Sequence, residues 1–131
     1  MGMINLTSEP VTIQLENNER ETIPPLGVDV NIEPKFLAHP PLANVGTIEV
    51  IEEEPEIYYD KDKKHEILNK IANSLAIYEA DVALVPINVL RAMRRTSYAA
   101  NVVAIDTSPD SAIRDSNGKL IAIKRLLGNA Y

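Results

Sequence analysis

Apolar residues change their spacing once along this chain, and that change restricts the fold more than any other feature of the sequence. Up to about residue 60 they alternate with polar residues in short runs that end at proline, glycine or asparagine. Alternation with a period of two is typical of strands that bury one face. From residue 67 to 78 they recur every three or four positions, as on a helix with one apolar face. The sequence therefore predicts an α+β fold with short, mostly antiparallel strands and two later helices.

The N-terminal part, residues 1–57, is predicted to be β-rich and acidic. A turn-forming stretch separates its first two alternating runs, which indicates a hairpin. The strands predicted here are 11–15, 21–23, 28–32 and 47–51. Residues 33–41 hold three prolines, and proline cannot donate to a strand ladder, so we expect irregular backbone there.

Helices and strands are both predicted after residue 60. Helices are expected at 60–80 and 87–99, and Pro86 suits the start of the second. Further strands are expected at 82–85, 102–105, 112–114 and 119–124. The last two form a hairpin within the C-terminal part, 102–126, because Asn117-Gly118 accepts the left-handed turn conformation. With 131 residues, the chain 1–131 is expected to be a single domain.

Composition excludes several classes of protein. The absence of cysteine excludes disulfide scaffolds, thiolate nucleophiles and iron–sulfur clusters. His39 and His65 lie in different segments without the spacing of a metal site, and phosphate-loop and nucleophile-elbow motifs are missing. We therefore predict no catalytic residues, metal or cofactor. The sequence shows no signal peptide and no apolar run of membrane-spanning length, so we expect a cytoplasmic protein without membrane contact.

Charge is distributed unevenly between the two halves of the chain. Residues 1–60 carry a net charge of −10 and residues 61–131 a net charge of +4, for a total of −6. The total disfavours general binding to nucleic acid. The split favours either docking of one half on the other or two surfaces with different partners. The same surfaces could also meet between the subunits of a homo-oligomer.

Three arginines form the densest cationic group. On a helix, Arg91, Arg94 and Arg95 share one face, and guanidinium groups bind phosphates and carboxylates. Tyr98 lies near that face and is placed to stack on a planar ligand. The alternative is structural: cations are favoured at the C-terminal end of a helix and can pair with the acidic half.

Two further segments offer functional groups. Asp106 and Asp110 are candidate acid–base or metal-binding carboxylates, although aspartates in such a loop also hydrogen-bond their own backbone. Thr107 and Ser108 supply hydroxyls, but no partner base for a nucleophile is visible. The acidic run 52–54 is either a solvated surface or an interaction surface for a protein partner.

Motifs at both ends of the chain resemble a widespread family of small phage and prophage proteins of uncharacterised activity. The family pattern starts with INLTPH, continues with IPPSG and ends with DTGP, an A-I-R strand, a turn glycine and a further strand. The corresponding stretches here are residues 4–7, 23–27 and 106–126. Ser8-Glu9 replaces the family's Pro-His, and Ser108 replaces the glycine of DTGP. Residues 33–80 are longer than usual for the family and include an additional helix.

The resemblance implies a viral or mobile-element context and a ligand or partner role for the polar loop 106–114. It motivates our first hypothesis, a non-enzymatic protein that sequesters a nucleotide-like host immune signal in an infected or lysogenic cell. The candidate ligand-binding residues are Arg91, Arg94, Arg95, Tyr98, Asp106, Thr107, Ser108 and Arg114. The alternatives are a protein-interaction module or inhibitor with an acidic working surface and, third, a metal-dependent nucleotide hydrolase that uses Asp106 and Asp110.

Overall fold

The computed structural model describes residues 2–36, 42–50 and 57–129. Its helices are α1 (Lys61–Ile77) and α2 (Ile87–Ala92), with a short 3-10 helix at Ala99–Asn101. The strands are β1 (Met3–Asn5), β2 (Val11–Gln14), β3 (Arg20–Ile23), β4 (Lys35–Phe36), β5 (Ala43–Val45), β6 (Ile48–Val50), β7 (Ile57–Tyr58), β8 (Val82–Leu84), β9 (Val102–Ile105), β10 (Ala112–Arg114), β11 (Leu120–Ile123) and β12 (Leu126–Gly128). The predicted α+β class, a small single domain with mostly antiparallel strands, is confirmed.

The first sheet has the strand order β1-β8-β9-β12. Strands β1, β8 and β9 run parallel, whereas β12 is antiparallel to β9. Parallel neighbours need a crossover connection, and α1 and α2 lie in the two connections that join these strands. Both helices therefore pack on one face of this sheet, where Ile67 and Ile71 of α1 and Val89 of α2 are buried.

The second sheet has the order β10-β11-β2-β3 and covers the opposite face of the first. Successive residues of a strand point to opposite faces, and β8 shows this clearly: Ala83 packs with the helices, whereas Leu84 packs with Val11 and Ile123 of the second sheet. The molecule thus has three layers, with the helices and the second sheet on either side of the first sheet. In the described ranges, no helix has the length and apolar content needed to cross a membrane.

Asn5 joins the first sheet to the second. Its side chain is fully buried, and its Nδ2 donates to the carbonyl oxygens of Glu9 (2.8 Å) and Ile23 (2.9 Å). Its Oδ1 accepts from the Thr7 backbone N–H at 2.9 Å, and its carbonyl oxygen accepts from the Leu26 N–H at 3.1 Å. One asparagine therefore hydrogen-bonds backbone groups of two separate segments, 7–9 and 23–26, and its buried amide has the partners that buried polar groups require.

The predicted hairpins and the first helix are confirmed, with small changes in their ends. Strands β2 and β3 pair as expected, and so do β10 and β11 around a turn in which Gly118 has a φ of +81°. Helix α1 lies within the predicted 60–80, and the Asp60 carboxylate caps it by accepting from the Lys63 N–H at 3.0 Å. The strand predicted at 47–51 is present as β6, and residue 51 lies outside the described residues.

Two predicted elements are wrong. Residues 28–32 form no strand. Their side chains alternate between exposed and buried, with Val30 and Ile32 buried, but their backbone joins no strand ladder. The second helix ends at Ala92 instead of residue 99, because Met93 caps it and the chain then turns. Strands β1, β4, β5, β7 and β12 are absent from the sequence-based prediction, and β4 lies in the range 33–41, where irregular backbone is expected; each of the five has only two or three residues, too few for a pattern of period two.

We predict that Asn5→Ala lowers the free energy of unfolding by about 3 kcal/mol, because the partly buried Glu9 and Ile23 carbonyls and the Thr7 N–H lose their side-chain partner. Thermal unfolding monitored by circular dichroism is expected to show a melting temperature roughly 10 °C lower. Asn69→Ala is the matched control, since Asn69 is exposed on α1. Equal stability of the Asn5 variant and the wild type would contradict the role assigned to Asn5.

Candidate functional site

A groove with a volume of about 800 Å³ lies between the first and second sheets. It is lined by residues 7–12, 85–87, 104–107 and 120–123, together with Arg91 and Leu127. Three of these segments lie at the carboxyl ends of parallel strands: 7–12 follows β1, 85–87 follows β8, and 104–107 includes the end of β9. Loops diverge at the carboxyl ends of parallel strands, and ligands of open α/β sheets bind there. The groove therefore occupies the position where this topology favours a ligand.

The groove has an apolar floor and a polar rim. Its apolar lining includes the buried residues Val85, Ala104 and Ala122. Thr7 and Thr107 add hydroxyl groups at the rim, and Arg91 of α2 is the one basic residue among the described residues that line the groove. A concave, mostly apolar surface with a few polar groups is typical of small-molecule sites.

Asp106 lies at the end of β9 with its carboxylate already engaged. Its Oδ1 accepts from the Ser108 backbone N–H at 2.9 Å, and its Oδ2 lies 3.2 Å from Nε of Arg125. The hydrogen bonds from Ser108, assisted by the positive charge of Arg125, lower the pKa of Asp106 below its usual value despite partial burial. The carboxylate is thus ionised and held in one position. It hydrogen-bonds the backbone of its own loop, which is the structural alternative given in the sequence analysis.

Ser111 anchors the loop 106–111 to residues 124–125, which connect β11 to β12. Its side chain is buried, and its Oγ accepts from the backbone N–H groups of Arg125 (2.9 Å) and Lys124 (3.1 Å). The Asp106 N–H in turn donates to the carbonyl oxygen of Arg125 at 3.2 Å. The loop is therefore held from both ends, and the rim of the groove at Asp106 and Thr107 is preorganised.

Three of the eight predicted ligand-binding residues line the groove, namely Arg91, Asp106 and Thr107. Arg94 and Arg95 do not line it, because α2 ends at Ala92 and Arg95 takes a φ of +61° in the turn that follows. The shared helical face expected for the three arginines is therefore absent.

The other three predicted residues have structural contacts. Tyr98 is half-buried against the helical core and does not line the groove. Arg114 donates from Nη1 to the carbonyl oxygen of Gly118 at 3.1 Å, within its own hairpin. Ser108 donates its backbone N–H to Asp106, and its Oγ lies 3.4 Å from Nη2 of Arg125.

The sequence-based prediction of the site omitted two features. Residues 7–9, which form part of the groove wall, follow β1 and are held by Asn5. The second is Arg125, which the sequence does not place against Asp106 because no local pattern links the two segments. Residues of the stretches 4–7 and 106–126, which the sequence analysis singles out, line this groove.

The carboxylates proposed for a metal-dependent hydrolase converge on one guanidinium group. Arg125 lies 3.2 Å from Asp106 and 3.7 Å from Asp110. Among the described residues, no group of three or more histidine or acidic side chains is placed to hold a metal ion. The pairing with Arg125 assigns these carboxylates a role in loop structure.

The acidic half and the arginine cluster are not paired within the described part of the chain. There, Arg91, Arg94 and Arg95 make no ion pair within 4.0 Å, and Asp60 of the acidic half pairs with Lys35 of the same half. The acidic run 52–54 and His39 lie outside the described residues. His65 is exposed on α1.

Comparison with protein-family models, with curated proteins and with solved structures returned no match.

We predict that Asp106→Asn lowers the melting temperature at neutral pH and makes the melting temperature less dependent on pH in the acidic range. The pKa of Asp106 is lowered in the folded state, so its contribution to stability is present above the unfolded pKa of about 4 and is lost as pH falls through the folded value. Melting temperatures measured between neutral pH and pH of about 2 should show a shallower acid decline for the variant.

Asp110→Asn serves as the control for this prediction. The Asp110 side chain is 87% exposed, and its contact with Arg125 is longer. Its substitution is expected to leave the melting curve unchanged, since exposed ion pairs contribute little. The role of Asp106 would be refuted if both variants had the same pH profile as the wild type.

Proposed function

We propose that this chain is a non-enzymatic binding protein that holds a small anionic, nucleotide-like ligand in the groove between its sheets. The observation that carries the proposal is the groove itself, about 800 Å³ in volume, with an apolar floor, hydroxyls at the rim and Arg91 on its wall. Ligand pockets are typically concave, mostly apolar and about 300–1,000 Å³ in volume. A nucleobase fits the apolar floor, and a phosphate fits the guanidinium group.

The charges of the lining residues narrow the ligand class to molecules with one anionic group. Among the described residues that line the groove, Arg91 is the sole cation, while Glu9 and Asp106 are acidic. A single guanidinium group binds one phosphate or carboxylate through paired hydrogen bonds. We therefore favour a cyclic mononucleotide or a similar ligand over a polyphosphate. A polyphosphate would need several convergent cations, such as the four arginines that the sequence analysis considers.

A binding role, without catalysis, is supported by the chemistry of the lining residues. In the part of the chain that the structure describes, they include no histidine, lysine or cysteine, and the Asp106 carboxylate is engaged by Ser108 and Arg125. The lowered pKa of Asp106 keeps it ionised, so it is poorly suited to donate a proton near neutral pH. The groove thus offers recognition groups but no acid–base pair.

The proposed context is a phage or prophage protein that acts in the cytoplasm of an infected or lysogenic cell. Residues of the opening motif, such as Thr7, and of the closing motif, such as Asp106 and Thr107, meet at the groove although they are far apart in sequence. Their convergence supports a shared binding role for the two motifs. A nucleotide-type immune signal of the host is the ligand that we propose for such a protein.

Isothermal titration calorimetry of the full chain tests the binding proposal. We expect binding of at least one ligand from a panel of cyclic mononucleotides, cyclic dinucleotides and ADP-ribose derivatives, with preference for those that carry one phosphate. Arg91→Ala removes a charge-assisted contact and should weaken the affinity about 10- to 100-fold. Arg94→Ala is the matched control, because Arg94 does not line the groove, and it should retain wild-type affinity.

Two outcomes would overturn this proposal. One is the absence of heat and of any thermal shift with every ligand in the panel. The other is binding that Arg91→Ala leaves intact, which would place the ligand outside the groove. Release of a chemically altered product in the same samples would contradict the non-enzymatic part of the proposal.

A further inference from the structure

The groove contains two carboxylates, and they differ in their contacts. Asp106 is held by Ser108 and Arg125. Glu9 lies on the wall that follows β1, and its side chain is exposed. In the part of the chain that the structure describes, the Glu9 carboxylate takes part in no ion pair within 4.0 Å. Of the two acidic groups, Glu9 is therefore the one that a ligand can engage.

The backbone of Glu9 is fixed, so its side chain leaves the wall at a defined point. The Glu9 carbonyl oxygen accepts from Nδ2 of Asn5 at 2.8 Å and from Oγ1 of Thr7 at 3.0 Å. Pro10 follows, and a proline restricts the backbone of the residue before it. A binding group on a fixed backbone loses less conformational freedom when a ligand binds.

Glu9 and Arg91 belong to different layers of the molecule. Arg91 lies on α2 in the helical layer, whereas Glu9 lies two residues before β2 of the second sheet. The first sheet separates these layers, and packed sheets lie about 10 Å apart. Among the described residues, no ion pair joins the two side chains. The groove therefore presents its cation and its free carboxylate on opposite sides of the edge of the first sheet.

The wall on the side of Glu9 also contains a β-bulge. Between two successive pairs with β10, strand β11 carries one additional residue, Ile121, which lines the groove and is 42% exposed. Strands β11 and β2 are parallel, with Ile123 opposite Ile13, so Ile121 and Glu9 both precede the paired residues at the same end of the second sheet. Bulges redirect side chains beside functional sites. Glu9 is thus accompanied by an apolar side chain, a combination that suits a planar polar group.

These positions define the chemistry of the ligand at the end opposite its phosphate. A carboxylate accepts hydrogen bonds and donates none, and its two oxygens can bind two adjacent donors. We propose that Glu9 determines the specificity of the groove by binding a pair of adjacent hydrogen-bond donors on the ligand. This inference rests on the binding function proposed above, and it narrows that function to ligands that carry both a phosphate and such a pair.

Two parts of a nucleotide supply adjacent donors. One is the edge of guanine that carries a ring N–H beside an amino group, and the other is the pair of ribose hydroxyls. Adenine does not supply such a pair, because an acceptor nitrogen lies beside its amino group. Three nucleotides with one phosphate each separate these sources. Cyclic 3′,5′-GMP carries only the guanine pair, 5′-AMP carries only the hydroxyl pair, and cyclic 3′,5′-AMP carries neither.

Isothermal titration calorimetry of the full chain with these three nucleotides tests the inference. The wild type should bind cyclic GMP or 5′-AMP at least about 10-fold more tightly than cyclic AMP. Glu9→Gln should weaken binding of the preferred nucleotide about 10- to 100-fold, because one acceptor and the negative charge are lost. The variant should bind cyclic AMP no more weakly than the wild type, since a carboxamide offers a donor to the acceptor nitrogen of adenine.

Glu16→Gln is the matched control. Glu16 is exposed in the turn between β2 and β3 and does not line the groove, so the same loss of charge there should leave all three affinities unchanged. Thermal unfolding of Glu9→Gln should match that of the wild type, because Glu9 contacts Asn5 and Thr7 through its backbone carbonyl.

The outcomes separate this inference from the binding function itself. A preference for cyclic GMP assigns the donor pair to the base, and a preference for 5′-AMP assigns it to the ribose; either supports the role of Glu9 when Glu9→Gln abolishes it. Arg91-dependent binding with equal affinity for the three nucleotides, with a preference for cyclic AMP, or with a preference that Glu9→Gln retains would overturn the role of Glu9 and leave the groove as the binding site. If none of the three binds, the role of Glu9 is overturned, and the binding function falls with it if the rest of the panel fails as well.

Discussion

The buried carboxamide of Asn5 is the interaction on which the arrangement of the groove depends. It holds the loop after β1 through Glu9 and Thr7, and it holds the end of β3 through Ile23. The first sheet and the second sheet therefore keep a fixed spacing at the point where the groove opens. A buried amide satisfies its hydrogen bonds in one geometry only, whereas apolar contacts tolerate sliding.

The opposite wall of the groove depends on a second polar network, centred on Ser111 and Arg125. The Ser111 hydroxyl fixes the backbone of Arg125, and the Arg125 side chain fixes Asp106. Both walls of the groove are therefore held in place by hydrogen bonds and an ion pair between segments that are distant in sequence.

Local signals in the sequence predicted the elements whose structure is determined locally. The Asn117-Gly118 turn and helix α1 are determined by residues within the element itself: a glycine that accepts positive φ, and an apolar stripe of helical spacing. The sequence predicts both correctly. Residues 28–32 have the alternation of a strand and bury Val30 and Ile32, yet no neighbouring strand is available to pair with them. Arg94 and Arg95 were assigned to a helical face because their spacing fits a helix, but the chain turns after Ala92. Arg125 and Asp106 lie in segments that are far apart in sequence. No local pattern indicates that the fold brings them together.

The pairing of β1 with β8 has a consequence for the order in which this chain acquires its structure. Met3 pairs with Val82, so the first strand has no neighbouring strand in its sheet until most of the chain has been synthesised. The second sheet depends in the same way on β11, which joins β2 at Ile13 through Ile123. Contacts so distant in sequence slow folding, since a long segment must be closed before they form. On the ribosome, helix α1 and the β2–β3 hairpin are the parts that can form early, and both sheets are completed only when the C-terminal strands emerge.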